Sequence, residues 1–195
     1  MSPLAYRYIP SCILPSPTSC EFLAVTQTVQ ESTASPYYGN PTGVRYYVFT
    51  APTGTTTPNP PLYSSDFSDS AGSLYYWMSS NAIDKNQNVG YTFNIGDGSS
   101  NYPSVYTQTI DDGGSPGTLT SVQAGSASIT DPNTHSWGEY FSMSIDPSDD
   151  KTFWGVGEYF TTAEDACSST LGFTDCYWTT KIFSCQKGGV GGYCP

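Results

Sequence analysis

WGEYFSMSIDPSDDKTFWGVGEY, residues 137–159, decides the fold class. Phe141, Met143 and Ile145 alternate with Ser142 and Ser144, so an extended strand here has one apolar and one polar face. Asp146-Pro147 ends that strand, because proline has no N–H for a ladder and an aspartate carboxylate can accept from the backbone two residues on. Thr152-Phe153-Trp154 then resumes in aromatic and β-branched types that suit a pleated, half-buried surface. The stretch reads as strand, Asp-led turn, strand.

A second copy lies upstream. Leu74-Tyr75-Tyr76-Trp77-Met78 is extended, Asn81-Ala82-Ile83-Asp84 leads into a polar turn at 85–88, and Val89-Gly90-Tyr91-Thr92-Phe93 returns. Ser80, Ile83 and Asp84 align with Ser142, Ile145 and Asp146 at one constant offset. A repeat near this length suggests a radial array of antiparallel sheets, each taking about 40–50 residues. A hairpin-rich β-sandwich is the alternative. Further strands are expected over 4–8, 22–29, 44–50, 102–110, 119–124, 126–130 and 177–184. The 44–49 run is apolar on both faces, which suits the middle of a sheet. Residues 51–61, APTGTTTPNPP, read as a long loop, and 111–117 as a strong turn. Residues 161–173 form a Cys-bounded loop and 187–195 a flexible Gly-rich tail. The expectation is all-β: one domain over 1–195, in units of 4–70, 74–130 and 137–186.

Composition excludes several partners. Against 17 Asp+Glu stand 6 Lys+Arg, a formal charge of −11. Arg7 and Arg45 are the only arginines, too few for phosphate contacts along a nucleic acid, and an anionic membrane would repel the chain. Aromatics at 15% against only 12% charged residues mark a chain that folds. Cys12, Cys20, Cys167, Cys176, Cys185 and Cys194 match no paired CxxC zinc spacing, and His135 is the sole histidine. Disulfides in an oxidising, extracellular compartment account for them, with near-neighbour pairing one of several connectivities. Residues 1–7 lack the charged start and apolar core of an export signal, so a removed leader or a longer gene product is expected.

The pattern Trp137-Gly138-Glu139-Tyr140, Met143, Asp146-Pro147, Asp149-Asp150, Thr152-Phe153-Trp154 and Glu158-Tyr159 resembles the C-terminal portion of large secreted bacterial proteins with a sialidase-like β-propeller. Upstream matches follow in order, among them Leu4-Ala5-Tyr6-Arg7, Gly43-Val44-Arg45-Tyr46-Tyr47, Ala82-Ile83-Asp84, Gly90-Tyr91 and Tyr102-Pro103-Ser104. The resemblance covers most of 4–185. It implies four-stranded blades and an extracellular setting, and no settled activity. Glu139 and Lys151 stand where the family usually has Asp and Cys, and Gly155-Val156 replaces a more polar pair. The chain holds about three blades, whereas closed propellers have about 4–8. A fragment, a partner-completed ring or a smaller β fold is therefore expected, with remaining blades or self-association among its partners.

Candidate chemistry follows from side-chain type. Glycoside hydrolysis needs two carboxyls about 5–9.5 Å apart, and Glu139 and Glu158, beside Tyr140 and Trp154, are the candidates. Gripping a sialic acid carboxylate would demand several guanidinium forks, and two arginines are too few. His135 sits in a turn-like segment with no G-x-S-x-G elbow to serve. Asp84 and Asn86, and Asp146 and Asp150, place oxygen side chains at short intervals, so calcium is the candidate ion, although Asp and Asn are also ordinary turn residues. No other cofactor is implied. Tyr75, Tyr76, Trp77, Tyr140 and Trp154 are candidates for stacking on a glycan or anchoring an extracellular protein. Together these favour a non-catalytic binding or structural module, with a glycoside hydrolase as the alternative.

Overall fold

The computed structural model describes residues 4–10, 19–30, 41–54, 57–97, 100–127, 140–161 and 179–188. Their regular structure is entirely β. Sheet A is an antiparallel meander of β1 (Ala5–Ile9), β2 (Cys20–Gln30), β3 (Thr42–Pro52) and β4 (Tyr63–Phe67). Sheet B follows with β5 (Tyr75–Ile83), β6 (Val89–Gly96), β7 (Ser104–Ile110) and β8 (Thr120–Gln123). Sheet C contains β9 (Ser142–Ile145), β10 (Thr152–Tyr159) and β11 (Thr179–Gln186). Sheet C thus has three strands among the described residues, where four were expected.

Several boundaries depart from the sequence reading. β3 lies between β2 and β4, as its two apolar faces require, and runs on through Ala51 and Pro52 to pair with Cys20 and Glu21, shortening the expected loop. β4, YSSDF, is a polar edge strand without an alternating apolar signal, and only its pairing to Val44–Val48 reveals it. Asn81, Ala82 and Ile83 belong to β5 itself. Ser126 and Ala127 are not in a strand, and the rest of the expected 126–130 strand lies outside the described residues.

Sheet B is the middle layer. Every residue of β6 is buried, which alternation explains: Val89, Tyr91, Phe93 and Ile95 face sheet A, while Gly90, Thr92 and Asn94 face sheet C. A bulge between Trp77 and Ser80, with Met78 at φ 47°, shifts the parity of β5. That shift lets Tyr76 and Ile83, an odd number of residues apart, both join the core against sheet A. Backbone contact between the layers concentrates on β5, which meets β1, β2 and β3 on one side and β9 on the other, and is sparse between β8 and β11. Toward β4, large rings bridge the gap: Phe67 stacks on Phe93 at 5.0 Å and meets Tyr91 at 5.1 Å, and Tyr46 meets Tyr91 at 5.3 Å. Sheets B and C share a second core. Phe153, Met143 and Phe183 meet Ala82 and Val105, and the Phe153 ring lies directly over Gly90.

One turn design closes all three hairpins of sheet B. Asp84, Asp97 and Asp111 each donate their N–H to the carbonyl four residues on, at 2.9, 2.7 and 3.0 Å. Their Oδ1 atoms accept the N–H of the same residues, Asn88, Asn101 and Ser115, at 2.9, 2.9 and 2.7 Å. The carboxylate thereby satisfies loop donors that the ladder cannot reach.

Candidate functional site

The incomplete filling between sheets A and B leaves a cleft of about 280 Å³. Tyr46, Phe67 and Tyr76 form its buried aromatic floor. Ser65, Asp66 and Ser68 line it from β4 and the residue after it, and Gln108, Pro116 and Leu119 from the β7–β8 side. Tyr46, on β3, points inward because it shares a face with Val44 and Val48, and burial pushes its hydroxyl pKa up. The Asp66 side chain turns to the outward face of sheet A with Arg45, whose Nε and Nη2 donate to Oδ1 and Oδ2 at 2.6 and 2.7 Å. The paired carboxylate in turn raises the guanidinium pKa. Gln108 Nε2 donates to Gly117 O at 2.6 Å, which commits the amide nitrogen and leaves the side-chain oxygen as an acceptor.

A second cluster joins all three sheets at the repeated Asp turns. Asp84 is buried, and its carboxylate accepts from Asn86 N, Asn88 N and Asn88 Nδ2 at 2.8, 2.9 and 2.7 Å. Desolvation nevertheless raises its pKa, against those hydrogen bonds and the nearby Arg7 charge. The adjoining turn supplies Asp150, whose carbonyl accepts from Lys85 N at 2.9 Å, and Asp149, whose carbonyl accepts from Lys85 Nζ at 2.8 Å. Arg7 on β1 completes the junction: Nη1 donates to Ile83 O at 3.2 Å and Nη2 pairs with Asp150 Oδ1 at 2.9 Å. Asp146 Oδ1 accepts from Ser148 N and its Oδ2 from Trp154 Nε1, at 2.8 and 3.0 Å. These bonds, the Ser148 hydroxyl first, hold its pKa low.

The two turns thus stand at equivalent positions in successive sheets and dock on one another. Of the calcium candidates, Asp84 and Asp146 use their oxygens on N–H donors and Asp150 faces a guanidinium, while Asn86 offers its backbone N–H to Asp84. Among the described residues, no group of three His, Cys, Asp or Glu is arranged to hold a metal ion.

The aromatic candidates are not gathered into one platform. Tyr76 is buried in the A/B layer, and Tyr75 and Trp77 are half-buried beside it on β5. Trp154 is exposed on β10 and Tyr140 is exposed just before β9. Glu158 is completely buried, and its backbone carbonyl accepts from Asn94 Nδ2 at 3.0 Å. Glu139 and His135 lie outside the described residues. Cys20 and Cys185 are disulfide-bonded, and the near-neighbour pairings expected for them involve cysteines outside the described residues.

A third feature is the outward face of sheet A. Leu4, Tyr6 and Tyr8 are exposed there. Register places Tyr6 beside Leu23 and Leu23 beside Phe49, with Val25 beside Tyr47 in the next row. Tyr47 and Phe49 stack at 6.1 Å. No helix among the described residues is long and apolar enough to cross a membrane. No family model, curated protein or solved structure matches the chain significantly.

Proposed function

We propose that this chain is a non-catalytic, extracellular binding or structural module, built as a partial, three-blade sialidase-like propeller, whose outward sheet A face docks another protein layer. The single observation that carries the reading is that face: Tyr6, Leu23 and Phe49 in one row, with Leu4 and Tyr8 exposed beside them. A connected apolar patch at the end of a stack of sheets has the character of an interaction surface. The propeller reading draws support from the crowding of the layers around β5, which suits blades converging on an axis. The extracellular reading draws support from the disulfide-bonded Cys20 and Cys185. The layer that docks is a second copy of the chain.

Sedimentation velocity over a range of concentrations tests this. The isolated chain is expected to self-associate, and Tyr6→Glu to return it to monomer with an unchanged circular dichroism spectrum. A wild-type chain that stays monomeric at high concentration, with Tyr6 readily iodinated, would refute the docking face. Product release from a chromogenic glycoside would instead favour the hydrolase alternative.

A further inference from the structure

We infer that the cleft between sheets A and B binds a neutral, hydroxylated ligand the size of one sugar ring, by hydrogen bonding and stacking without covalent chemistry. This deepens the binding reading above by giving it a ligand class and a place.

Size comes first. Ligand pockets usually span about 300–1,000 Å³, and about 280 Å³ falls just under that range. A single ring with its apex in the open mouth fits, whereas an oligosaccharide could place only one residue inside.

Charge decides the class. Among the described residues, no lysine, arginine or histidine lines the cleft. The Asp66 carboxylate lies on the opposite face of sheet A, where it pairs with its register partner Arg45. An anionic ligand such as a phosphate or a carboxylated sugar would find no counter-charge in the cleft, and a cation would find no carboxylate there. Hydroxyl groups match what remains. Ser68 can donate or accept, Ser65 bonds the Tyr46 hydroxyl and keeps acceptor capacity, and the Gln108 oxygen accepts. Tyr46 and Tyr76 form an aromatic floor on which the C–H face of a pyranose can lie. The arrangement is preformed, since Gln108 is tied to Gly117 and the Tyr46 hydroxyl to Ser65. A ligand this small gains little per atom, so the dissociation constant is expected on the order of millimolar.

Amide chemical-shift titration of the isotopically labelled protein tests the inference, with methyl α-glucoside, methyl α-galactoside and methyl α-mannoside as probes and N-acetylneuraminic acid as the anionic control. The expected result is saturable shifts from at least one neutral glycoside, centred on Asp66, Gln108 and Leu119, with none from the acid. Ser68→Trp, at the exposed rim, fills the mouth and should abolish those shifts while leaving sheet C resonances in place. Gln108→Met keeps the side-chain length but loses the acceptor, and should weaken binding about fivefold, the worth of one neutral hydrogen bond. The inference is overturned by the absence of saturable shifts at about 100 mM glycoside, far above a millimolar constant. Shifts unchanged in both variants, or equal binding of the anionic sugar, would overturn it as well. Failure here leaves the docking face standing, because Tyr6 points away from the layer that contains the cleft.

Discussion

Gly90→Ala should destabilise the protein through a single contact. A Cβ added at Gly90 would lie 2.6 Å from Phe153 Cδ1 and 2.9 Å from Cγ and Cε1, inside any tolerated separation. The ring cannot retreat easily, since Phe153 is completely buried in the B/C core with Met143 and Phe183. Overpacking of this kind costs about 1–3 kcal/mol, while the lower chain entropy of alanine in the unfolded state offsets about 0.4–1 kcal/mol. The net loss is therefore expected at about 1–2 kcal/mol. Truncating the ring creates a cavity, and Phe153→Ala alone should cost about 3–5 kcal/mol. In the double variant the added methyl enters space the ring has left, so the Gly90→Ala penalty should vanish or reverse, a coupling of about 1–3 kcal/mol. Urea titrations of the four proteins, with midpoints and slopes fitted separately, give the cycle. A Gly90→Ala penalty of the same size in both backgrounds would refute the argument, because the glycine would then serve something other than this ring.

Three further outcomes follow from the turns and the junction. Asp84→Ala and Asp111→Ala both remove the acceptor of the N–H groups two and four residues on, but Asp84 is fully buried and also accepts from Asn88 Nδ2; the first should cost about 2–4 kcal/mol and the second about 1 kcal/mol by urea denaturation, and equal costs would show that neither burial nor the extra bond matters. Asp69 and Asp149 have pKa values held down to about 2, Asp69 chiefly by the Ser73 backbone N–H and Asp149 by the Thr152 hydroxyl. Their folded values lie below the unfolded value of about 3.9, so the stability they contribute is present above that pH and is lost as pH falls through about 2. Asp84 has the opposite sign, its raised folded pKa giving a contribution present below the unfolded value and lost as pH rises through the folded one. Melting temperatures measured down to about pH 2 should therefore fall less steeply in Asp69→Asn and Asp149→Asn than in wild type; parallel curves would contradict the assignment. Arg7→Met should cost about 0.5–1.5 kcal/mol, and its difference from wild type should shrink in high salt, since the pair with the half-exposed Asp150 is screened.

What could be read from residues, and what could not, divides along the range of the interactions. The 137–159 segment contains its own strand alternation and its own turn, so β9 and the start of β10 were visible locally. The match of Ile83-Asp84 to Ile145-Asp146 correctly marked two hairpin turns at equivalent places, although their docking through Lys85 and Arg7 could not be seen. A D-x-x-x-[N/S] spacing at Asp84, Asp97 and Asp111 was present in the sequence as a signal for all three sheet B turns. Its meaning depends on the carboxylate reaching the fifth residue. β4 escaped notice because an edge strand with Ser64 and Ser65 toward solvent has no apolar period to show. The cleft escaped with it. Tyr76 was picked out only as an aromatic on β5, while Ser65, Asp66, Ser68 and Gln108 carry no local pattern that distinguishes them from ordinary surface residues.

By itself, the sequence determined an all-β chain of hairpins with Asp-headed turns, because strand alternation and turn chemistry act over a few residues. The tertiary structure decided that sheet B is the middle layer, that Gly90 exists to admit Phe153, and that β4 and β7 face each other across an open cleft. Those outcomes depend on how three sheets space themselves when packed. That spacing is set by side-chain volumes contributed from strands far apart along the chain.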